Sequence, residues 1–152
     1  MFRTPATLFR VLAIAEACSW TLLLAGLLIR ALGGPSLAVT IGGGIHGFVF
    51  LSYGATAILV ALNNRWGIGP AVVAVGSAIV PYATVPAEIW LRRSGRLAGA
   101  WRLEETDDPR DRRSIDRLLR WFLRHAVLLV ALLLVAVVAL YVVLLIVGPP
   151  GR

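Results

Sequence analysis

The chain has no lysine, one cysteine and few acids: all fifteen basic residues are arginine, against eight Asp and Glu. A single cysteine excludes an internal disulfide, and because Cys18 lies in an apolar stretch it says nothing about redox compartment. Charged residues make up only 15% of the chain while 59% is hydrophobic, and the mean hydropathy of +0.83 excludes an ordinary soluble domain of this length. The missing lysine reflects nucleotide composition in the source genome rather than a binding task. A net charge of +7 invites a nucleic-acid reading. Ten of the arginines, however, fall between Arg92 and Arg124, among six carboxylates and just before an apolar span. Attraction to anionic lipid and control of topology account for that cluster, and no nucleic-acid partner is expected.

What is present is four long apolar blocks, which predict an all-α bundle with four transmembrane helices at about 11–32, 39–62, 68–91 and 122–147. The first is interrupted by Glu16 and stopped by Gly33, Gly34 and Pro35. It is too long, and too marked by Glu16, for the hydrophobic region of a cleaved signal peptide. The second carries Gly42, Gly43, Gly44, His46, Gly47 and Gly54 and ends at Asn63, Asn64 and Arg65. Gly43 and Gly47 make a small-xxx-small pair suited to close helix packing, with Gly54 on the same helix. The third contains Pro81, Pro86 and Glu88 and is expected to kink, with released carbonyls taken up by neighbours. If it re-enters instead of crossing, the topology changes parity.

Residues 97–121 read as an Arg-rich polar connector ending in a short amphipathic helix, between a three-helix core over 1–96 and a terminal helix with its tail over 122–152. From Ala126 to Val147 only Tyr141 has a polar side-chain atom, which predicts a helix that faces lipid widely and does no chemistry. With four crossings, Arg3, Arg10, Arg65 and Arg152 fall on one face, and Arg30 with the ten later arginines on the other. The positive-inside rule then places the connector, 92–121, in the cytoplasm of a bacterial cell and both termini outside. Arg92, Arg93, Arg96, Arg117, Arg120 and Arg124 are the expected lipid-headgroup contacts.

Charged or titratable groups inside a span cost about 2.5–3.5 kcal/mol each on insertion scales, so Glu16, His46 and Glu88 are where function would sit. Block boundaries put Glu16 about 7 Å from its midpoint toward the terminal face, and His46 and Glu88 about 6 Å and about 13 Å toward the other. The expected pair is therefore His46 with Glu88, directly or through Tyr82, which together could relay protons. The plainer reading has His46 bonded to a carbonyl at a glycine interface and Glu88 paired with Arg92 or Arg30. Glu16 would find Ser19, Thr21, a neighbouring carbonyl or water. No Gly-x-Ser-x-Gly pattern accompanies Ser19, and no Cys/His cluster has ligand spacing. His46 and His125 differ too much in depth to share a haem. No catalytic activity, metal or cofactor is expected.

The runs Arg10-Val11-Leu12-Ala13-Ile14-Ala15-Glu16-Ala17, Ile45-His46-Gly47-Phe48-Val49-Phe50 with Tyr53, Arg65-Trp66 and Pro81-Tyr82-Ala83-Thr84 resemble the DUF3817 family of small bacterial integral membrane proteins. The resemblance covers about 8–96. It implies three hydrophobic segments with Glu16, His46, Gly47 and Pro81 at family-type positions, and no assigned role for any of them. Members end soon after the stretch that begins at Arg92, so the connector and last helix look like an addition. These observations lead to an expected non-catalytic structural or accessory component that packs with itself or with a larger membrane complex. The alternative is a small proton-coupled transporter or channel using Glu16, His46 and Glu88.

Overall fold

A computed structural model of the protein describes residues 4–147. It is all-helical among those residues, as expected, and three of its helices are long and apolar enough to cross a membrane. The first, α1, spans Pro5–Ala31, starting six residues before the apolar block because Thr4 caps it through Oγ1 to the Thr7 N–H, with Pro5 as its first residue. The second, α2, spans Leu37–Asn63 and folds back along α1. Two glycines set how the pair meets. A Cβ on Gly26 would lie 2.6 Å from the Ala38 carbonyl oxygen, and one on Gly42 would lie 2.6 Å from that of Leu22. The backbones therefore touch through Gly26 and Gly42, which the small-xxx-small reading passed over. Gly43 meets only Leu23 at 3.7 Å and Gly54 meets nothing within 4 Å, while Gly47 serves a different helix.

The third apolar block does not cross. It forms α3 over Ile68–Gly76, a 3₁₀ turn over Ser77–Ile79, and α4 over Thr84–Arg93. Between them the chain turns at Val80–Ala83, where Pro81 cannot continue a helix and Tyr82 adopts φ 64°. The two ends of this hairpin lie together. Arg96, three residues after α4, offers its carbonyl to Trp66 Nε1 and to Asn64 Nδ2, both at 2.7 Å, just before α3 begins. The turn reaches Trp20 and Thr21, close to the middle of α1, through bonds to Ala78 O at 3.3 Å and Tyr82 Oη at 3.3 Å. The segment is a re-entrant helical hairpin that rises from the connector end to mid-depth and returns. The count of full-length spans becomes three.

That return corrects the topology. The start of α1, the end of α2, both ends of the hairpin and the connector share one end of the bundle. After α5 (Ser114–Arg124), α6 (Ala126–Val147) runs to the opposite end, bringing Tyr141 against Gly44 and Gly47 of α2, where an added Cβ would lie 3.1 and 3.3 Å from its hydroxyl and ring. The start of α1 and the end of α6 thus lie at opposite ends of the bundle, not both away from the connector. Of thirteen arginines in the described chain, only Arg30 lies at the far end, which is a stronger asymmetry than four crossings gave.

At the connector end, α2 closes with Trp66 N–H to Ala61 O at 2.9 Å and Arg65 at φ 52°, a position where glycine is usual. Left-handed backbone costs a non-glycine residue about 1–2 kcal/mol, and here the Arg65 side chain supplies the compensation. Its guanidinium meets Asp108 (2.6 Å), Asp111 and Asp116 (3.3 Å). Arg102 adds Asp116 at 2.7 Å and the Leu62 carbonyl at 2.9 Å, closing the exposed carbonyl end of α2. Arg120, only 5% exposed, sets Nη1 3.1 Å from the Asp111 carboxylate as an ion pair and donates through Nη2 to the Asp111 carbonyl at 2.7 Å. This corrects its assignment as a headgroup contact: the acidic patch of the connector folds back over α5 and takes the guanidinium inward. Leu119 and Leu123 of α5 pack on Leu59 of α2, while Ile115, Leu118 and Trp121 stay exposed as an apolar face suited to the interface.

Candidate functional site

Where the hairpin tip meets α1 and α2, a polar cluster sits near the middle of the bundle. Gly26 lies against Ala38 and Gly42 against Leu22, and the same register carried down the pair sets His46 beside Ser19, one turn from Glu16. Glu16 is fully buried. The Thr84 hydroxyl, at the first turn of α4, lies 2.9 Å from the Ala13 carbonyl and 3.3 Å from Glu16 Oε2. Ser19 Oγ donates to the Glu16 carbonyl at 2.8 Å, which uses its only proton. The same Ser19 Oγ lies 2.9 Å from His46 Nδ1, which joins the two helices through a hydrogen bond. The same Nδ1 is 3.9 Å from Glu16 Oε1, within ion-pair distance and beyond hydrogen-bond reach. Trp20 leans on the imidazole at 4.4 Å between centroids.

The partner of His46 is therefore Glu16, not Glu88. The depth estimate placed the midpoint of α1 at Thr21, but the helix begins at Pro5, and the glycine crossing slides α2 along it. Glu88 goes the other way because α4 descends toward the connector end, where its Oε1 lies 3.3 Å from Arg92 Nε. Beside that pair is a small cleft lined by Arg10, Ala13 and Ile14. Tyr82 is directed to Thr21, and Pro81 sits exposed at the tip. Arg92, Arg93, Arg117 and Arg124 are exposed, with Arg124 Nε donating to Leu103 O at 2.7 Å. Arg96 is half-buried, its guanidinium 4.8 Å over the Trp90 ring.

Sequence reasoning missed Thr84, Trp20 and Tyr53. Tyr53 Oη donates to Ala74 O at 2.9 Å and meets Ser77 Oγ at 3.1 Å. With Trp20 to Ala78 O, side chains of α1 and α2 reach hairpin carbonyls where its helix is interrupted, and Thr84 of the hairpin in turn donates to Ala13 O of α1. Only the aromatic identity of Tyr53 hinted at this. Chemically, the cluster sets a carboxyl and an imidazole within ion-pair distance of each other, and it anchors the hairpin. Among the described residues no three His, Cys, Asp or Glu side chains gather as a metal site would require.

Three long apolar helices and a re-entrant hairpin held by buried polar side chains define a small polytopic helical membrane protein. The chain belongs to the DUF3817 family, described as a domain of unknown function, whose model matches residues 6–93. That match takes in α1 to α4, and the connector with α5 and α6 lies beyond it. A Streptomyces coelicolor protein named "Putative membrane protein SCO5905" is 40% identical over 103 residues, covering 66% of this chain and 12% of that protein. The chain thus corresponds to about an eighth of that relative's length. No solved structure matches the chain.

Proposed function

We propose that the protein is a non-catalytic component of a larger assembly in the bacterial plasma membrane, held there through its hairpin tip. One observation carries this reading. Irregular backbone is tolerated at mid-membrane depth only where protein or a water-filled cavity covers it. Yet Ile79 is 70% and Val80 57% exposed at a turn level with Trp20 and Thr21. A partner in the membrane supplies the cover. The Streptomyces coelicolor relative supports this, since there the matched unit is 12% of a far longer chain. A photo-crosslinker at Ile79→Cys, in a Cys18→Ala background and native membranes, is expected to give one adduct of discrete mass containing a second polypeptide. Lipid adducts alone, equal to those from Leu145→Cys on α6, would sink the reading.

The transport reading is favoured by the 3.9 Å approach of His46 to Glu16. His46→Ala separates the two: loss of a proton flux in proteoliposomes with the Ile79 adduct intact would favour transport. Among the described residues, twelve arginines at the connector end support a cytoplasmic placement of that end by the positive-inside rule. In the same Cys18→Ala background, a membrane-impermeant maleimide should label Ser36→Cys in intact cells, and Ser94→Cys only after lysis. The reverse pattern would overturn the orientation.

A further inference from the structure

Both α3 and α6 pack on α2, and between them a crevice of about 290 Å³ remains open at mid-depth. Its floor is one face of α2, Leu51, Gly54 and Ile58, and its walls are Val75 on α3 and Ala136 and Leu140 on α6. The floor is bare at Gly54, where an added Cβ would meet nothing within 4 Å. The same helical face continues to Leu62, and just past the end of α2 a second cleft of about 260 Å³, which shares no lining residue with the first, opens among Arg65, Arg110, Arg113, Ile115 and Asp116. The two clefts follow one another along α2, apolar at mid-depth and, with three arginines against Asp116, mainly basic at the connector end. Arg110 is engaged by Asp108 at 2.8 Å, whereas Arg113 has no ion pair among the described residues.

We infer that these clefts form one groove that binds one anionic phospholipid, with an acyl chain lying along α2 and the phosphate at Arg113. From Leu51 to Asn63 the face runs about 18 Å at about 1.5 Å per residue. That covers the roughly 15 Å of one leaflet's hydrocarbon and reaches the headgroups. A whole helix does not sit within the crevice: at a diameter of about 10 Å it fills about 1,200 Å³ over the same 15 Å, several times the space present. A single hydrocarbon chain fits. Charge complementarity at the connector end selects an anionic head over a zwitterionic one. The inference is independent of the hairpin tip, which lies at Val80–Ala83, outside the groove.

Native mass spectrometry of the full chain in detergent, with phosphatidylglycerol or phosphatidylcholine added, tests it. Wild type is expected to retain one phosphatidylglycerol with at least a tenfold preference. Gly54→Leu, which fills the floor without a clash, should abolish retention of both lipids. Ala136→Phe narrows the opposite wall and should do the same if Gly54→Leu does not fold. Arg113→Gln should keep lipid but lose the preference, while Ala25→Leu on α1 changes nothing. Retention unaffected by Gly54→Leu and Ala136→Phe would overturn the inference, as would equal retention of the two lipids by wild type. A changed subunit count in Gly54→Leu would also overturn it, since the groove would then hold a second copy or another protein.

Discussion

Replacing Asp111 with alanine is expected to open the connector and free α5 from α2, with amide exchange over 96–124 accelerating at least about tenfold. Asp111 is buried and shared: Arg120 meets Oδ1 at 3.1 Å, Arg102 at 3.4 Å, and Arg65 is in direct contact. Thr106 donates twice to Oδ2, from its N–H at 2.8 Å and its hydroxyl at 2.6 Å. Removing the carboxylate leaves the buried Arg120 with a backbone carbonyl at 2.7 Å and, as counter-charge, Glu105 at 3.6 Å, and breaking such a pair costs more than the pair was worth. Arg65 would also keep its left-handed backbone with one fewer partner.

The same network fixes a pH dependence. Hydrogen bonds from the Thr106 side chain and backbone, then Arg65 and Arg120, pull Asp111 from 3.8 down to about 2. Asp108 is held below the usual carboxylate range by its Arg110 hydrogen bonds. Burial pushes Asp116 up, but Arg102 and Arg65 outweigh it and the net shift is downward. A depressed folded pKa contributes stability that is complete above the unfolded value and lost as pH falls through the folded one. The connector should therefore stay protected down to about pH 4 and open between about pH 4 and 2. Protection that persists at pH 2, or an Asp111→Ala exchange pattern like wild type, would refute the network's role.

The second large effect is Gly42→Ala. With 2.6 Å to the Leu22 carbonyl, even one methyl group must push α1 and α2 apart, and both neighbours are backbone that cannot rotate away. Overpacking of this kind costs about 1–3 kcal/mol, and the loss should show as a lower Tm in detergent. Gly43→Ala, one residue along, has its nearest contact at 3.7 Å and should lie within about 0.5 kcal/mol of wild type. Because Glu16 and His46 meet through the same crossing, Gly42→Ala should also loosen the Ser19–His46 bond. Equal effects from the two substitutions would mean the helices do not cross at Gly26 and Gly42.

The helical class and the notable intramembrane residues were legible because hydropathy and polarity belong to each residue in its local run. Glu16 and His46 stand out against leucine and alanine in any fold. Which of them meet was not legible, because partners are set by register. One cap at Thr4 moves the centre of α1 and one glycine pair slides α2, and together they exchange Glu88 for Glu16 as the neighbour of His46.

By itself, then, the sequence determined a membrane-embedded all-helical chain with arginine gathered near one end of its apolar blocks. Whether the third block crosses or returns was decided by tertiary structure. Its hydropathy suits either path, and the turn at Val80–Ala83 holds because Trp20 and Tyr53 reach hairpin carbonyls from 58 and 21 residues away while Thr84 ties α4 to the Ala13 carbonyl 71 residues away. The burial of Arg120 was decided the same way. An exposed arginine and a buried one read alike in sequence, and only the folding of the acidic connector onto α5 distinguishes them.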